Sequence, residues 1–183
     1  MPGFSVCAYD LEMADLKANY GILLCGVVYN LDTGEISYHR LDESKNYKKE
    51  PWNDRELAVS IRDKLSEFDI MVGYNSVMFD VKFLNTRLLY HKEKLLPGRP
   101  TLRHIDLLFR VKNHLLLHSS SLDSLATFLE FDHQKTRISG GLWSRAMAGD
   151  RTALDYIVEH CRLDVLVLVD AWPYLKQFVR EIR

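Results

Sequence analysis

The stretch Ser5-Val6-Cys7-Ala8-Tyr9-Asp10-Leu11-Glu12-Met13 (residues 5–13) joins an apolar run to two carboxylates one residue apart. The apolar run predicts a strand of a buried sheet, and the acids end that run, where the strand leaves the core. Because side chains alternate along a strand, Asp10 and Glu12 point to the same face, about 6–7 Å apart. Two such acids repel each other unless they share a cation, so the stretch predicts a metal site.

Composition favours a single globular domain over residues 1–183, because 47% hydrophobic residues with 11% aromatics can build a sizeable core. The three cysteines, Cys7, Cys25 and Cys161, lie in apolar stretches without paired spacing, which is typical of reduced thiols inside a cell. No basic segment precedes an apolar one at the N-terminus, and the longest apolar run, residues 163–172, contains two aspartates. We therefore expect a soluble, cytoplasmic protein without a membrane segment.

The net charge of -1 does not by itself indicate a polyanionic partner, but the charge is unevenly placed. Residues 87–103 contain five lysines and arginines against one acid, Glu93, and a shorter basic stretch covers residues 133–137. For any single residue a solvated surface is the ordinary interpretation. Together with an acidic metal site, the two stretches favour contact with nucleic acid.

Periodicity predicts a mixed α/β sheet with three antiparallel N-terminal strands, flanked by helices. The predicted elements are strands over 4–10, 23–29 and 36–41, a helix from Asn53 or Asp54 to Phe68, a strand in 69–76, a helix to Tyr90 with Asp80 in its first turns, a strand over 102–106, and helices beyond, interrupted at Gly140-Gly141. The last helix, about 153–180, is apolar almost all round over 163–169, which indicates burial against the sheet.

Asp164 lies within that apolar stretch, where a lone ionised carboxylate would cost several kcal/mol. Three environments remain open from the sequence: solvent at the helix edge, a salt bridge with a residue such as Arg162, or a cation shared with Asp10 and Glu12.

The order of these acids resembles the DEDD 3′→5′ exonuclease superfamily, which has an RNase H-like fold and includes polymerase proofreading domains, ribonuclease D and oligoribonuclease. The resemblance rests on residues 10–12 of the first strand, on residues 75 and 79–80 at the start of a helix, and on residues 160–165 of the last helix. It covers nearly the whole chain. The segments 104–107, 121–122 and 140–143 are most similar to predicted RNase H-like exonucleases that resemble the family B proofreading domain.

The resemblance implies that Asp10, Glu12, Asp80 and Asp164 hold two Mg²⁺ or Mn²⁺ ions, which prefer oxygen ligands. Asp10 would bridge both ions, Glu12 and Asp164 would complete the tighter site, and Asp80 would act on the second. Zinc is less expected because no Cys-x-x-Cys or His/Cys cluster has suitable spacing.

The fifth residue departs from the family pattern, because His160 stands where one subgroup has a tyrosine, four positions before the last aspartate. A spacing of four places His160 on the same helix face as Asp164. An imidazole, with an unperturbed pKa of about 6.5, is a better base near neutrality than a phenol. We expect His160 to be the base or to orient water. Alternatively, His160 only forms local hydrogen bonds on its helix, and Tyr156, one turn earlier, would then be the remaining candidate for the base. Glu159, five positions before Asp164, should point to a different side of the helix.

Further candidates contact substrate. Leu11 and Met13 could contact the terminal sugar and base of the substrate, or they could simply pack in the core. Asn75 should shape the loop that presents Asp80. Phe79 is either a core residue or a platform on which a base stacks. Lys135, Arg137 and Arg145 are candidate phosphate contacts, and the pair His114 and His118 lacks a third metal ligand.

The function that these expectations support is a metal-dependent 3′→5′ exonuclease on single-stranded nucleic acid, with DNA favoured over RNA by analogy with the proofreading branch. Two alternatives remain: an RNA or short-oligonucleotide exonuclease with the same site, and a catalytically silent nucleic-acid-binding module. Any coupling to replication or repair would come from an unidentified partner protein, since no polymerase or helicase domain is expected within this chain.

Overall fold

A computed structural model describes residues 3–133 and 140–179. Its strands are β1 (Val6–Met13), β2 (Leu23–Asn30), β3 (Ile36–Arg40), β4 (Ile70–Gly73) and β5 (Arg103–Asp106). Its helices are α1 (Arg55–Leu65), α2 (Asp80–Tyr90), α3 (Leu107–His114), α4 (Leu122–Phe128), α5 (Gly140–Met147) and α6 (Arg151–Leu175). Short 3₁₀ turns follow β3 at Leu41–Glu43 and α6 at Lys176–Phe178.

The five strands form one mixed sheet in the order β3-β2-β1-β4-β5. β1, β2 and β3 pair antiparallel, while β4 pairs parallel to β1 and β5 parallel to β4. The predicted sheet with three antiparallel N-terminal strands is therefore confirmed. Because β1 is central, the acids on it lie beside the carboxyl end of β4, from which the chain leads to α2.

The prediction that the acids end the first strand was wrong. β1 continues through Met13, so Asp10 and Glu12 lie inside it, opposite Val27 and Cys25 of β2. Pairing with β2 extends the strand beyond the apolar run, and the register becomes irregular only between Glu12 and Met13. Backbone pairing thus fixes both acids more firmly than a strand end would.

Three helix boundaries differ from the prediction. α1 follows Asp54 as expected but ends at Leu65, before Phe68. Gly140 and Gly141 begin α5 instead of interrupting a helix. α6 ends at Leu175, and Pro173 in its last turn removes a backbone donor, which is consistent with the earlier end. The predicted end at Arg180 lies outside the described residues.

Helices cover both faces of the sheet centre. A Cβ added at Gly26 of β2 would meet Ile61 of α1, whereas Cys161 of α6 contacts Cys25, whose side chain points to the opposite face. α6 packs on β1 and β2 and buries most of its stretch from Val165 to Leu168, as predicted. Within the described part of the chain, no helix is long and apolar enough to cross a membrane.

Candidate metal centre

The centre of the candidate site is a group of three side chains contributed by β1 and α6. One ligand atom from each of Glu12, His160 and Asp164 lies within 4.8 Å of the others. His160 Nε2 is 3.6 Å from Glu12 Oε1 and 3.9 Å from Asp164 Oδ2. His160 and Asp164 are buried, and Glu12 is half-buried. The four-residue spacing on α6 therefore aims both side chains at the same point on β1, as expected.

Asp10 reaches this region from the same side of β1 as Glu12, since the two residues are two positions apart on the strand. The Cys161 thiol donates a hydrogen bond to the Asp10 carbonyl oxygen at 3.2 Å, which ties α6 to the strand beside the acids. Burial, reinforced by neighbouring Cys25 and by the charges of Asp10 and Glu12, raises the pKa of the Cys161 thiol. Cys161 is thus a protonated, structural thiol that seats His160 next to Glu12.

Asp80 is the first residue of α2 and is buried. Burial raises the pKa of the Tyr9 phenol, and the negative charge of Asp80 raises it further. The charge of Asp80 therefore acts on Tyr9, whose side chain points to the face of β1 opposite to that of Asp10. Asp10 and Asp80 are not members of the 4.8 Å group of three.

A buried aspartate missed by the sequence argument holds the loop before Asp80. Asp106, at the end of β5, accepts hydrogen bonds from the backbone N–H groups of Asn75 (2.9 Å) and Val77 (3.1 Å) and also caps α3 through Leu108 (3.0 Å). Asn75 has a φ of 58°, a left-handed conformation that asparagine tolerates better than most residues. Asn75 thus forms a left-handed turn in this loop, and Asp106 anchors the loop.

A half-buried histidine on β5 contacts the same loop. His104 Nε2 lies 2.9 Å from the Ser76 hydroxyl and 3.1 Å from the Tyr9 hydroxyl. Burial lowers the pKa of His104 to about 4. A neutral ring protonated on Nδ1 has one lone pair at Nε2, which accepts a hydrogen from one of the two hydroxyls, so this cluster is uncharged near neutral pH.

The donor atoms suit a hard divalent cation. Glu12 and Asp164 offer the carboxylate oxygens that Mg²⁺ and Mn²⁺ prefer. Two carboxylates this close repel each other, and a bound cation would relieve that repulsion. Arg162, one alternative partner for Asp164, pairs instead with Glu159 at 2.6 Å on the surface of α6. Glu159 therefore points away from the centre, as expected, and Tyr156 is about half exposed one turn earlier.

The predicted substrate contacts separate into buried and accessible residues. Leu11 is 3% exposed and packs near Gly26, which agrees with the packing alternative, and its contact with substrate stays a prediction. Met13 is also buried, whereas Phe79 is half-buried and 6.4 Å from the Phe83 ring. Lys135 and Arg137 lie outside the described residues.

The other basic and histidine candidates have different environments. Arg87, at the start of the basic stretch, is buried in an ion pair, so it belongs neither to a solvated face nor to a nucleic-acid contact. Arg145 pairs with Asp150 at 2.6 Å, but its side chain is 59% exposed, so its phosphate contact stays a prediction. The His114 ring stacks on the Phe178 ring, with the ring centroids 4.5 Å apart, and α3 ends at His114. His118 therefore lies beyond this helix, and the four-residue spacing does not place the two histidines on one helix face.

The architecture and the acids together define a nuclease-type fold with a candidate metal centre. A family model described as the RNase_H superfamily matches residues 7–172, so the chain belongs to that superfamily, and the predicted RNase H-like fold is confirmed. Members are generally nucleases that use divalent metals, and the Glu12, His160 and Asp164 group is a donor set of the corresponding kind.

A solved structure with the same fold is the family B DNA polymerase from the hyperthermophilic archaeon Pyrobaculum calidifontis, at 19% identity and a TM-score of 0.69. The match covers 94% of this chain but 25% of the polymerase. No curated protein sequence matches the chain.

Proposed function

We propose that this protein is a metal-dependent 3′→5′ exonuclease that hydrolyses the terminal phosphodiester of single-stranded nucleic acid. The observation that carries the proposal is the convergence of Glu12, His160 and Asp164 within 4.8 Å in a member of a superfamily of nucleases. A catalytically silent module would have no need to keep close acids together, because their mutual repulsion is costly without a cation.

Asp10, Glu12, Asp80 and Asp164 are the proposed ligands of two Mg²⁺ or Mn²⁺ ions. Ions held there would lower the pKa of the attacking water and neutralise the charge that develops on the departing 3′ oxygen. Asp80 enters from α2 and Asp164 from α6, so the carboxylates approach the reacting phosphate from separate elements.

His160 is the proposed general base. Its Nε2 accepts a proton from water as the water oxygen attacks the terminal phosphorus, and the bond from phosphorus to the 3′ oxygen breaks. The products are a nucleoside 5′-monophosphate and a strand shorter by one nucleotide. The nearby carboxylates of Glu12 and Asp164, 3.6 and 3.9 Å away, stabilise the imidazolium that forms.

DNA is the proposed preferred substrate. Support comes from the resemblance to proofreading domains and from the fold shared with a family B DNA polymerase. Fold-level analogy is a weaker argument for substrate than for chemistry, so RNA of equal sequence is the necessary comparison.

The test is degradation of 5′-labelled single-stranded DNA and RNA of equal sequence in Mn²⁺. Wild type should give a ladder that shortens from the 3′ end, and Asp10→Ala should abolish it while the protein remains folded. His160→Ala should slow the ladder by about 10²–10⁴-fold, the usual contribution of a general base. Glu159→Ala is the matched control, one residue away on the outer side of α6, and should keep the wild-type rate.

Calorimetry with Mn²⁺ separates the proposal from its alternatives. Absence of both metal binding and cleavage would leave a silent binding module. Metal binding with cleavage of dinucleotides alone would identify a short-oligonucleotide hydrolase.

A further inference from the structure

A groove lies between the outer face of α2 and the loop that follows β1, and its lining includes Phe79, the residue before Asp80. It has a volume of about 200 Å³, and its lining includes Leu16, Lys17, Met78 and Lys82. Leu16 is 74% exposed and Met78 is 51% exposed, so the groove presents apolar surface flanked by two lysines. No acidic residue lines it.

A second cavity, of about 410 Å³, lies at the other end of α2 and is bordered by the same loop. Three large aromatic side chains line it, Tyr20, Trp52 and Tyr90, and they are 77%, 62% and 70% exposed. The Arg87 guanidinium carbon lies 4.7 Å from the centroid of the Tyr90 ring and makes a cation–π contact with it. The acid in the lining, Glu50, accepts a hydrogen bond from the Asn53 side chain.

The helix connects the two features. Positions 79, 82, 86 and 90 follow spacings of three and four, so they share one face of α2 and span about 16 Å along its axis. The outer strip, defined as Leu16, Lys17, Tyr20, Trp52, Met78, Lys82 and Tyr90, therefore runs along α2 from the end that carries Asp80 to the end that carries Tyr90.

We infer that the outer strip binds the single-stranded nucleic acid whose 3′ end enters the active site, an inference that rests on the proposed function. Lys17 and Lys82 contact backbone phosphates, and the exposed rings of Tyr20, Trp52 and Tyr90 stack with bases. This pairing of cations with aromatic platforms is how proteins hold single strands without reading their sequence. The two exposed lysines, the lack of an acid in the lining of the groove, and the start of the strip at the end of α2 that carries Asp80 favour a polyanionic strand as the occupant.

The experiment measures fluorescence anisotropy of a labelled single-stranded oligothymidylate with the full chain in EDTA, so that no cleavage occurs. Lys17→Glu with Lys82→Glu, and separately Tyr20→Ala with Trp52→Ala, should each weaken binding by about tenfold or more. The lysine variant should also show a shallower dependence of affinity on salt, and the aromatic variant should not.

Matched controls lie elsewhere on the surface. Lys112→Glu on α3 and Phe128→Ala at the end of α4 replace equally exposed residues and should bind as wild type does. All substituted residues are exposed, and thermal melting checks that each variant folds. Wild-type affinity in both strip variants, or equal losses in the controls, would overturn the inference.

The wild-type cleavage assay keeps the two proposals distinguishable. If wild type cleaves nothing while the strip variants still lose oligothymidylate binding, the exonuclease proposal fails and the strip stands. If wild type degrades the strand and the strip variants bind it normally, the strip alone fails.

Discussion

The Arg87 guanidinium on α2 donates two hydrogen bonds, each 2.8 Å long, to the Asp54 carboxylate, and both side chains are buried. Asp54 also accepts a hydrogen bond from the Leu23 N–H at 2.8 Å and lies 2.7 Å from His91 Nε2. Arg87 donates a further bond to the Ala18 carbonyl. This ion pair ties α2 to β2 and to the start of α1, so it also fixes the helix that begins with Asp80.

Arg87→Leu should destabilise the protein by about 3–5 kcal/mol, because it leaves the Asp54 charge buried without its guanidinium. Urea unfolding measures the change. The matched control is Arg55→Leu, which removes an exposed arginine paired with Glu93 and should cost no more than about 1 kcal/mol. Equal losses in the two variants would show that the buried pair has no special role.

Asp106→Ala should weaken Mn²⁺ binding by about 10–100-fold, the usual range for a group that orients metal ligands. The variant loses the acceptor that anchors the loop leading to Asp80, and titration calorimetry measures the affinity. Asp150→Ala is the control, because Asp150 caps α6 through the Ala153 N–H without touching that loop. It should lose about 1 kcal/mol of stability and keep its metal affinity. If Asp106→Ala does not fold, Asp106→Asn, which keeps one acceptor oxygen, should show a smaller loss of affinity.

The stability of the protein should fall between pH 6.5 and pH 4 through His104. Burial lowers the folded-state pKa of His104 from 6.5 to about 4, so in this window the unfolded chain binds more protons than the folded one. The loss should reach about 3 kcal/mol at the acidic end. Urea unfolding across this range should show a smaller pH dependence for His104→Gln than for wild type. Parallel curves for the two proteins would contradict the assignment.

Mn²⁺ should raise the melting temperature of wild type by about 5–10 °C at roughly a hundredfold excess over its dissociation constant. Asp164→Asn should lose most of that shift, since it removes a proposed ligand while preserving side-chain shape. The control Asp170→Asn alters an aspartate on the same helix that pairs with His133 at 2.7 Å, and it should keep the shift. An undiminished shift in Asp164→Asn would remove this residue from the metal centre.

The sequence by itself determined the order of the elements and the acids that they carry. Alternation on β1 and the four-residue spacing of His160 and Asp164 are local consequences of strand and helix geometry, so each could be derived without knowing what packs against them. The same holds for the start of α1 after Asp54, although the Asp54 side chain does not cap that helix, and for the apolar character of α6.

Only the tertiary structure decided what each polar group faces. Arg87 belongs to a basic stretch in the sequence, yet its partner Asp54 lies 33 positions away and makes it a buried anchor. Asp106 and His104 support the loop before Asp80 through contacts about 30 residues distant along the chain. Such contacts arise when strands from separate parts of the chain pair side by side. Spacing along one element therefore predicts which residues share a face, and long-range packing decides what that face meets.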